Sequence, residues 1–365
     1  MKKINIRVSK NNIRLIFKIT WPFVIALIVL LSVRYAADNA WFVDLYYSEG
    51  IYPFIAKLFS AVSSQVPFSL WDIFWISIIV LLITGLVLAV IRKVRWRWYG
   101  LRILQTAALL YVFFYLVWGF NYFRPRIETR VRWEKQKPDD AVFRSILDSI
   151  IDHANSSYVS ISPSDYPTID QKIEESFHKN SKTLGINYPN GTRRPKTMIF
   201  SSFFAKSGVS GYFGPFFNEI HLNYYLLPME YPFVLAHEKA HQFGITNEAE
   251  ANLAAFVVCV TSGDHLLEYS GYVNLMVYFL SDASQMKDVK DYIRKINKPV
   301  ILDLRFQRSH WQGLRNNTLD KVQTAANNAY LKTNNIEEGV KSYNQVVSLV
   351  ISYYHNSQPK GGEKH

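Results

Sequence analysis

Cysteine is nearly absent: Cys259 is the single thiol in 365 residues. That excludes a disulfide scaffold and any metal cluster held by several thiolates. Acidic residues are also scarce, 29 against 41 Lys and Arg, and the formal charge is +12. A folded nucleic-acid-binding module would carry such an excess on its own surface. Here it lies elsewhere. Residues 1–33 hold six Lys/Arg and no acid, residues 92–102 hold five and no acid, and the two pieces carry +11 of the total. From Pro138 to His365 the balance is about −1, so no nucleic-acid partner is expected. Repeats and low-complexity tracts are missing as well.

Charge itself is missing from three apolar runs: Ile19–Val33 (15 residues), Ile73–Ile91 (19) and Ile103–Phe123 (21). A helix needs roughly 20 largely apolar residues to cross a bilayer. The second and third runs qualify directly; the first qualifies if Arg14 and Lys18 snorkel. Three transmembrane spans are therefore expected, at about 13–33, 73–91 and 103–123. No small-residue cleavage site follows the first run (Val33-Arg34-Tyr35-Ala36-Ala37-Asp38), so it reads as an uncleaved span and not a signal peptide. Lys2, Lys3, Arg7, Lys10, Arg14 and Lys18 precede span one, and Arg92, Lys93, Arg95, Arg97 and Arg102 join spans two and three. The positive-inside rule puts both segments in the cytoplasm and everything after Phe123 outside it, in a multi-pass protein of the inner cell membrane. Residues 51–63 are apolar but short and amphipathic, and are expected to lie on the outer interface.

The expected organisation is a membrane region (1–123), a linker (124–137) and an extracytoplasmic domain (138–365). In that domain, helical patterns near 140–157, 231–243, 248–262 and 266–281, and again near 284–297 and 317–356, flank two strand-like segments, Lys196–Phe203 and Asn218–Tyr224. The fold class is α+β, mainly helical with a small sheet.

The chemistry is concentrated in Ala236-His237-Glu238-Lys239-Ala240-His241. On a helix His237 and His241 share a face, where two imidazoles can hold a tetrahedral zinc. Glu238, about 100° round from His237, can act as general base on a zinc-bound water. Gly244 offers a helix stop. Thr246 or Asn247 caps a second helix, whose first-turn carboxylate would swing back as third ligand. Glu248 and Glu250 stand about 200° apart and cannot share a face. Glu248 is preferred because Asn252, four residues on, can support a ligand histidine from behind; Glu250 is the alternative.

This pattern resembles the zincin metallopeptidases of the glutamate-ligand type. Their second helix carries a ligand Glu followed four residues later by an acid or amide, which matches Glu248 and Asn252. The wider layout is similar to an uncharacterised bacterial family of three-span membrane proteins of DUF3810 type. The matching pieces are YPFIAKLFSAVSSQVPFSLWD, WGFNYFR, SGYFGPFFNEIHLN, HEKAHQFGITNEAEAN and GVKSYNQVVSL. The resemblance implies a zincin-like domain with Zn2+ as cofactor. Two features depart from the zincin pattern. Lys239 occupies an internal position that is usually uncharged, and it is expected to point to solvent. Only six residues separate His241 from Glu248, an interval at which histidine-ligand enzymes would place their third ligand on Asn247, a poor zinc ligand.

Further candidates are Asn218–Asn223 as an edge strand for an extended peptide or as a plain core strand, and His221 as a surface or hydrogen-bonded residue sooner than a ligand. Tyr212, Tyr224, Tyr225 and His310 are candidate oxyanion donors. The expected function is a membrane-anchored zinc peptidase acting on a peptide or protein of the cell envelope, with the lipid bilayer as its other partner. The alternatives are a non-catalytic zinc-binding envelope sensor or scaffold, and a channel. The last is disfavoured because the spans hold almost no polar residue to line a pathway.

Overall fold

A computed structural model of the chain describes residues 10–134, 139–160, 165–334 and 345–357. The basic residues Lys2, Lys3 and Arg7 and the first part of GVKSYNQVVSL lie outside them. In chain order the helices are α1 (Lys10–Asp38), α2 (Ala40–Phe42), α3 (Tyr52–Ser63), α4 (Leu70–Val90), α5 (Trp96–Val117), α6 (Ile127–Arg130), α7 (Asp140–Ser156) and α8 (Tyr166–Asn180). After strand β1 (Lys196–Thr197) come α9 (Ser201–Lys206), β2 (Gly211–Gly214) and β3 (Glu219–Leu222). The rest is α10 (Tyr231–Gln242), α11 (Glu248–Val260), α12 (His265–Asp282), α13 (Val289–Lys295), α14 (Lys298–Leu314), α15 (Asn317–Thr333) and α16 (Val346–Ser357).

Three helices, Ile16–Asp38, Leu70–Val90 and Trp96–Val117, are long and apolar enough to cross a membrane. Their side chains are mostly left uncovered by the rest of the chain, as a lipid-facing surface would be. The third ends at Val117, earlier than its apolar run suggested. Gly119–Phe123 instead forms a buried 3-10 turn against the rest of the protein. Between the first two, a π-helical segment (Val43–Ile51) leads into α3. That helix buries Tyr52, Ala56, Ser60 and Ser63, while Ile51, Phe54, Leu58 and Val62 stay exposed. Its two faces thus meet different surroundings.

At the centre of the remaining fold lies α11. Its sequence is apolar almost all round, and a helix of that kind must be covered on every side. It is wrapped by α8, α10, α12 and α16, with α7 packed behind α12. Ala249, Ala251, Ala254 and Ala255 are fully buried and let these neighbours approach closely. Arg124–Arg130, expected to be linker, packs against the start of α11: Ile127 is fully buried, and its amide donates to Glu250 at 3.2 Å.

The three strands form one sheet among the described residues, in the order β1-β3-β2, with β1 parallel and β2 antiparallel to β3. Asn218–Asn223 is therefore not an edge. Its core, β3, is central and wholly buried, and β1 and β2 are the two edge strands. The strand expected over Lys196–Phe203 stops after Thr197. The amide of Ile199 turns to the Asp72 carboxylate at the start of α4 (2.9 Å) instead of a ladder partner, and α9 begins at Ser201.

Lys239 is also corrected. It does not reach solvent: it is fully buried, and its Nζ pairs with Asp170 (2.8 Å) and Glu174 on α8. Glu174 also binds Arg193 at 3.0 Å and accepts from the Tyr188 hydroxyl. Burial raises the Glu174 carboxyl, but Lys239 and Arg193 outweigh it and hold the group at about 2 against an ordinary 4.5. The folded state thus binds this proton less readily than the unfolded chain. Its stabilisation is complete above about pH 4.5 and is lost as pH falls towards 2. Lys239→Ala is expected to lower stability at pH 7 by about 3–5 kcal/mol, because it strands the Asp170 carboxylate and leaves Glu174 with Arg193 alone. In chemical denaturation across pH, the deficit should narrow below about pH 4.5; a deficit that stays constant with pH would assign the loss to packing alone.

Candidate metal centre

Helix α10 begins at Tyr231-Pro232, where proline suits a first turn whose amides have no partner inside the helix. It ends at Gln242, and Gly244 just beyond takes the left-handed conformation (φ +83°) that glycine adopts without strain. Asn247 then caps α11, accepting from the Glu250 amide at 3.0 Å. This tight turn faces the first turn of α11 towards the last turn of α10. The carbonyls at the end of α10 and in the turn after it accept from residues of the N-terminal part of the chain. Trp118 Nε1 donates to His241 O (3.1 Å), Tyr52 Oη to Gln242 O (2.7 Å) and Arg124 to Gly244 O (3.5 Å).

The turn brings His237, His241 and Glu248 together. His237 Nε2 and His241 Nε2 are 3.1 Å apart, and Glu248 Oε2 lies 3.2 Å from the first and 3.6 Å from the second. A tetrahedral ion with bonds of about 2.0–2.1 Å needs ligand atoms separated by roughly 3.3 Å, so the three atoms fit around one cation. The imidazoles are oriented for this from behind. Asn252 Oδ1 lies 3.0 Å from His237 Nδ1, and the Ile245 carbonyl 2.7 Å from His241 Nδ1. An acceptor behind each Nδ1 keeps the proton there and leaves Nε2 free to ligate. Electrostatics agree with the geometry. Burial disfavours a charge on His241, yet the adjacent Glu248 carboxylate pushes this imidazole up to about 9. Burial likewise opposes ionisation of Glu248, but His241 and His237 hold it far below the usual carboxylate range. The pocket favours positive charge.

Glu250 points away. It is buried, accepts from Ile127 N and pairs with Arg130 at 3.3 Å. Glu238 stands beside the group in an enclosed setting. A Cβ on Gly211 would come within 2.6 Å of its Oε1, so strand β2 passes against this carboxylate only because residue 211 lacks a side chain. Burial pushes Glu238 above the usual carboxylate range; His237 and His241 oppose the shift and Glu248 adds to it. His221 is a buried structural residue, 2.8 Å from Ser69 Oγ and stacked under Tyr212.

A cavity of about 1110 Å³ reaches His237, Glu238, His241, Glu248 and Asn252. Of the four oxyanion candidates only Tyr212 lines it, and its hydroxyl is committed to Asp72. Tyr224, Tyr225 and His310 are not among the lining residues, and His310 binds the Tyr225 carbonyl. The walls carry other tyrosines that sequence reasoning missed, Tyr122 and Tyr278. Burial raises both hydroxyls, helped at Tyr122 by Tyr330, to which it is hydrogen-bonded, and at Tyr278, which reaches about 12, by Glu248, so both remain protonated. Helix α14, outside the expected helical segments, adds Gln307, Arg308 and Trp311. No sequence signal marks these residues, because only the tertiary fold brings them to the cavity.

Fold and site together define a protein with three membrane-span-like helices and a His-His-Glu group able to hold a metal ion. The chain belongs to DUF3810, a family described as a protein of unknown function, whose model matches residues 47–351. No curated protein and no solved structure matches it.

Proposed function

We propose that this protein is a membrane-anchored, zinc-dependent peptidase of zincin type acting on the extracytoplasmic side of the inner membrane. The observation that carries the reading is the open cavity meeting three convergent ligand atoms with a buried carboxylate at their side. Two imidazoles and one carboxylate are the donor set of catalytic zinc, which keeps a fourth position for water or substrate. His237, His241 and Glu248 would hold the ion, and when bound it supplies Lewis acidity towards the scissile carbonyl and the attacking water.

The chain's own groups do the rest. Glu238, with its proton affinity raised by burial, accepts a proton from the attacking water and returns it to the leaving amine. Tyr278 offers a hydroxyl donor to the developing oxyanion. Strand β2 is the edge to which an extended peptide would add its backbone. A structural zinc in a sensor or scaffold would have a closed ligand shell; the cavity at this site favours catalysis.

The full chain is the material to test. Residues 43–72 contribute Tyr52 to the end of α10, and the Leu70 and Trp71 amides bind Glu219, so a fragment starting at residue 124 would lose these supports. Incubated with a randomised peptide pool, purified protein is expected to produce new termini that vanish with a chelator and return with zinc. A zinc-loaded protein that cuts nothing would contradict the reading. For orientation, a reporter active only outside the cytoplasm should work when fused after Lys137 and stay silent at Arg97; the reverse pattern would relocate the substrate to the cytoplasm.

A further inference from the structure

The candidate centre is fixed to the outer ends of the membrane helices with no slack. Trp118, the residue after α5 ends at Val117, donates its indole N–H to the carbonyl of His241 and lines the cavity together with Tyr122. The opposite connection is made by the β2–β3 hairpin. Its strand β2 lies against Glu238, and its tip residue Phe216 is wedged between two spans. The Phe216 ring sits 5.2 Å from Trp71, 5.5 Å from Phe74 and 5.2 Å from Phe113, and Phe217 is 5.8 Å from Phe74. Phe74 is four residues inside α4 and Phe113 four from the end of α5, a depth of about 6 Å at 1.5 Å per residue.

The surroundings are apolar in the same place. Phe68, Ile199, Phe200 and Phe203 are about half exposed, and the Ile199 amide is bonded to Asp72 in the first turn of α4. Helix α3, between the first two spans, turns Phe54, Leu58 and Val62 outward. These side chains are continuous with the lipid-facing helices, so the bilayer surface is the occupant that covers them. From this apolar lip the chain runs through α9 to Ser207–Gly211, which lines the cavity.

We infer that the substrate is a polypeptide itself anchored in the same bilayer and cut close to its anchor. The inference rests on the peptidase reading above. Trp118 touches the backbone of the ligand helix, so the metal group lies about one helix diameter, roughly 10 Å, beyond the membrane boundary. Allowing a similar distance for the cavity gives a path of roughly 20 Å, or about six extended residues at 3.3 Å each. A soluble peptide has no advantage in reaching such a site. A tethered one is held there at high local concentration.

The test uses the full chain in phosphatidylethanolamine–phosphatidylglycerol vesicles with one randomised peptide pool in two forms. One form is free, and the other is joined to a transmembrane helix through spacers of about 5 to 40 residues. Tethered peptides with short spacers should be cut at least about tenfold faster than free ones, and the advantage should fall severalfold at the longest spacer. Equal cleavage of both forms, independent of spacer, would overturn the inference and leave the peptidase reading standing. Cleavage of neither form by zinc-loaded protein would overturn the peptidase reading, and the inference with it. Glu238→Gln protein in the same vesicles identifies cleavage that is not this protein's own.

Discussion

Glu238→Gln is expected to keep its metal and lose hydrolysis by about two to four orders of magnitude, the usual contribution of a positioned general base. The amide matches the carboxylate in size, so the close passage of Gly211 against residue 238 is preserved. What disappears is the ability to take a proton from water and return it. The glutamate is suited to both halves of that exchange because burial raises its proton affinity. The comparison of zinc content and turnover in the same preparation decides the point. A variant that retained wild-type turnover would remove Glu238 from the chemistry.

Changes at the ligands should act on the metal first. His237→Ala or His241→Ala is expected to abolish stoichiometric zinc, and Glu248→Ala to weaken it strongly. Asn252→Ala should cost about 10–100-fold in affinity, because it removes the partner that orients His237. Glu250→Ala should behave differently. It leaves Arg130 buried without its carboxylate, so the expected effect is a loss of about 3–5 kcal/mol in stability with zinc retained. Competition titrations with a chromophoric chelator, paired with denaturation curves, separate the two outcomes. Zinc lost in Glu250→Ala and kept in Glu248→Ala would reverse the assignment.

The group of His237, His241, Glu248 and Asn252 was legible in the sequence because its geometry is local. Two histidines four apart share a helix face, a glycine stops that helix, and a capped second helix starts four residues after the glycine. Every step is set by backbone periodicity and turn chemistry. The surroundings of that helix were not legible. Lys239 looked like a solvent-facing residue, since nothing in its neighbourhood announces Asp170 and Glu174 some 65 residues earlier in the chain. The same holds for Tyr122 and Tyr278, which the fold brings to one cavity from a membrane-helix exit and from α12. KTMIFSSF read as a strand because apolar residues follow a β-branched Thr197, whereas a carboxylate on the first turn of α4 captures the Ile199 amide and ends the ladder. The apolar pattern located the three long helices but not their ends. WGFNYF is as apolar as the helix before it, and only its buried contacts with α10 and α1 distinguish it from a span.

X-ray absorption at the zinc edge on the purified full chain examines the metal centre directly. The spectrum should contain nitrogen and oxygen scatterers at about 2.0–2.1 Å, with the outer-shell pattern of two imidazoles and no sulfur near 2.3 Å. Cys259 is fully buried on α11 and is not one of the convergent ligands. The imidazole signal should fall to one ring or vanish with the metal in His237→Ala. A sulfur shell, or an imidazole pattern unchanged by that substitution, would contradict a zinc ion held by His237, His241 and Glu248.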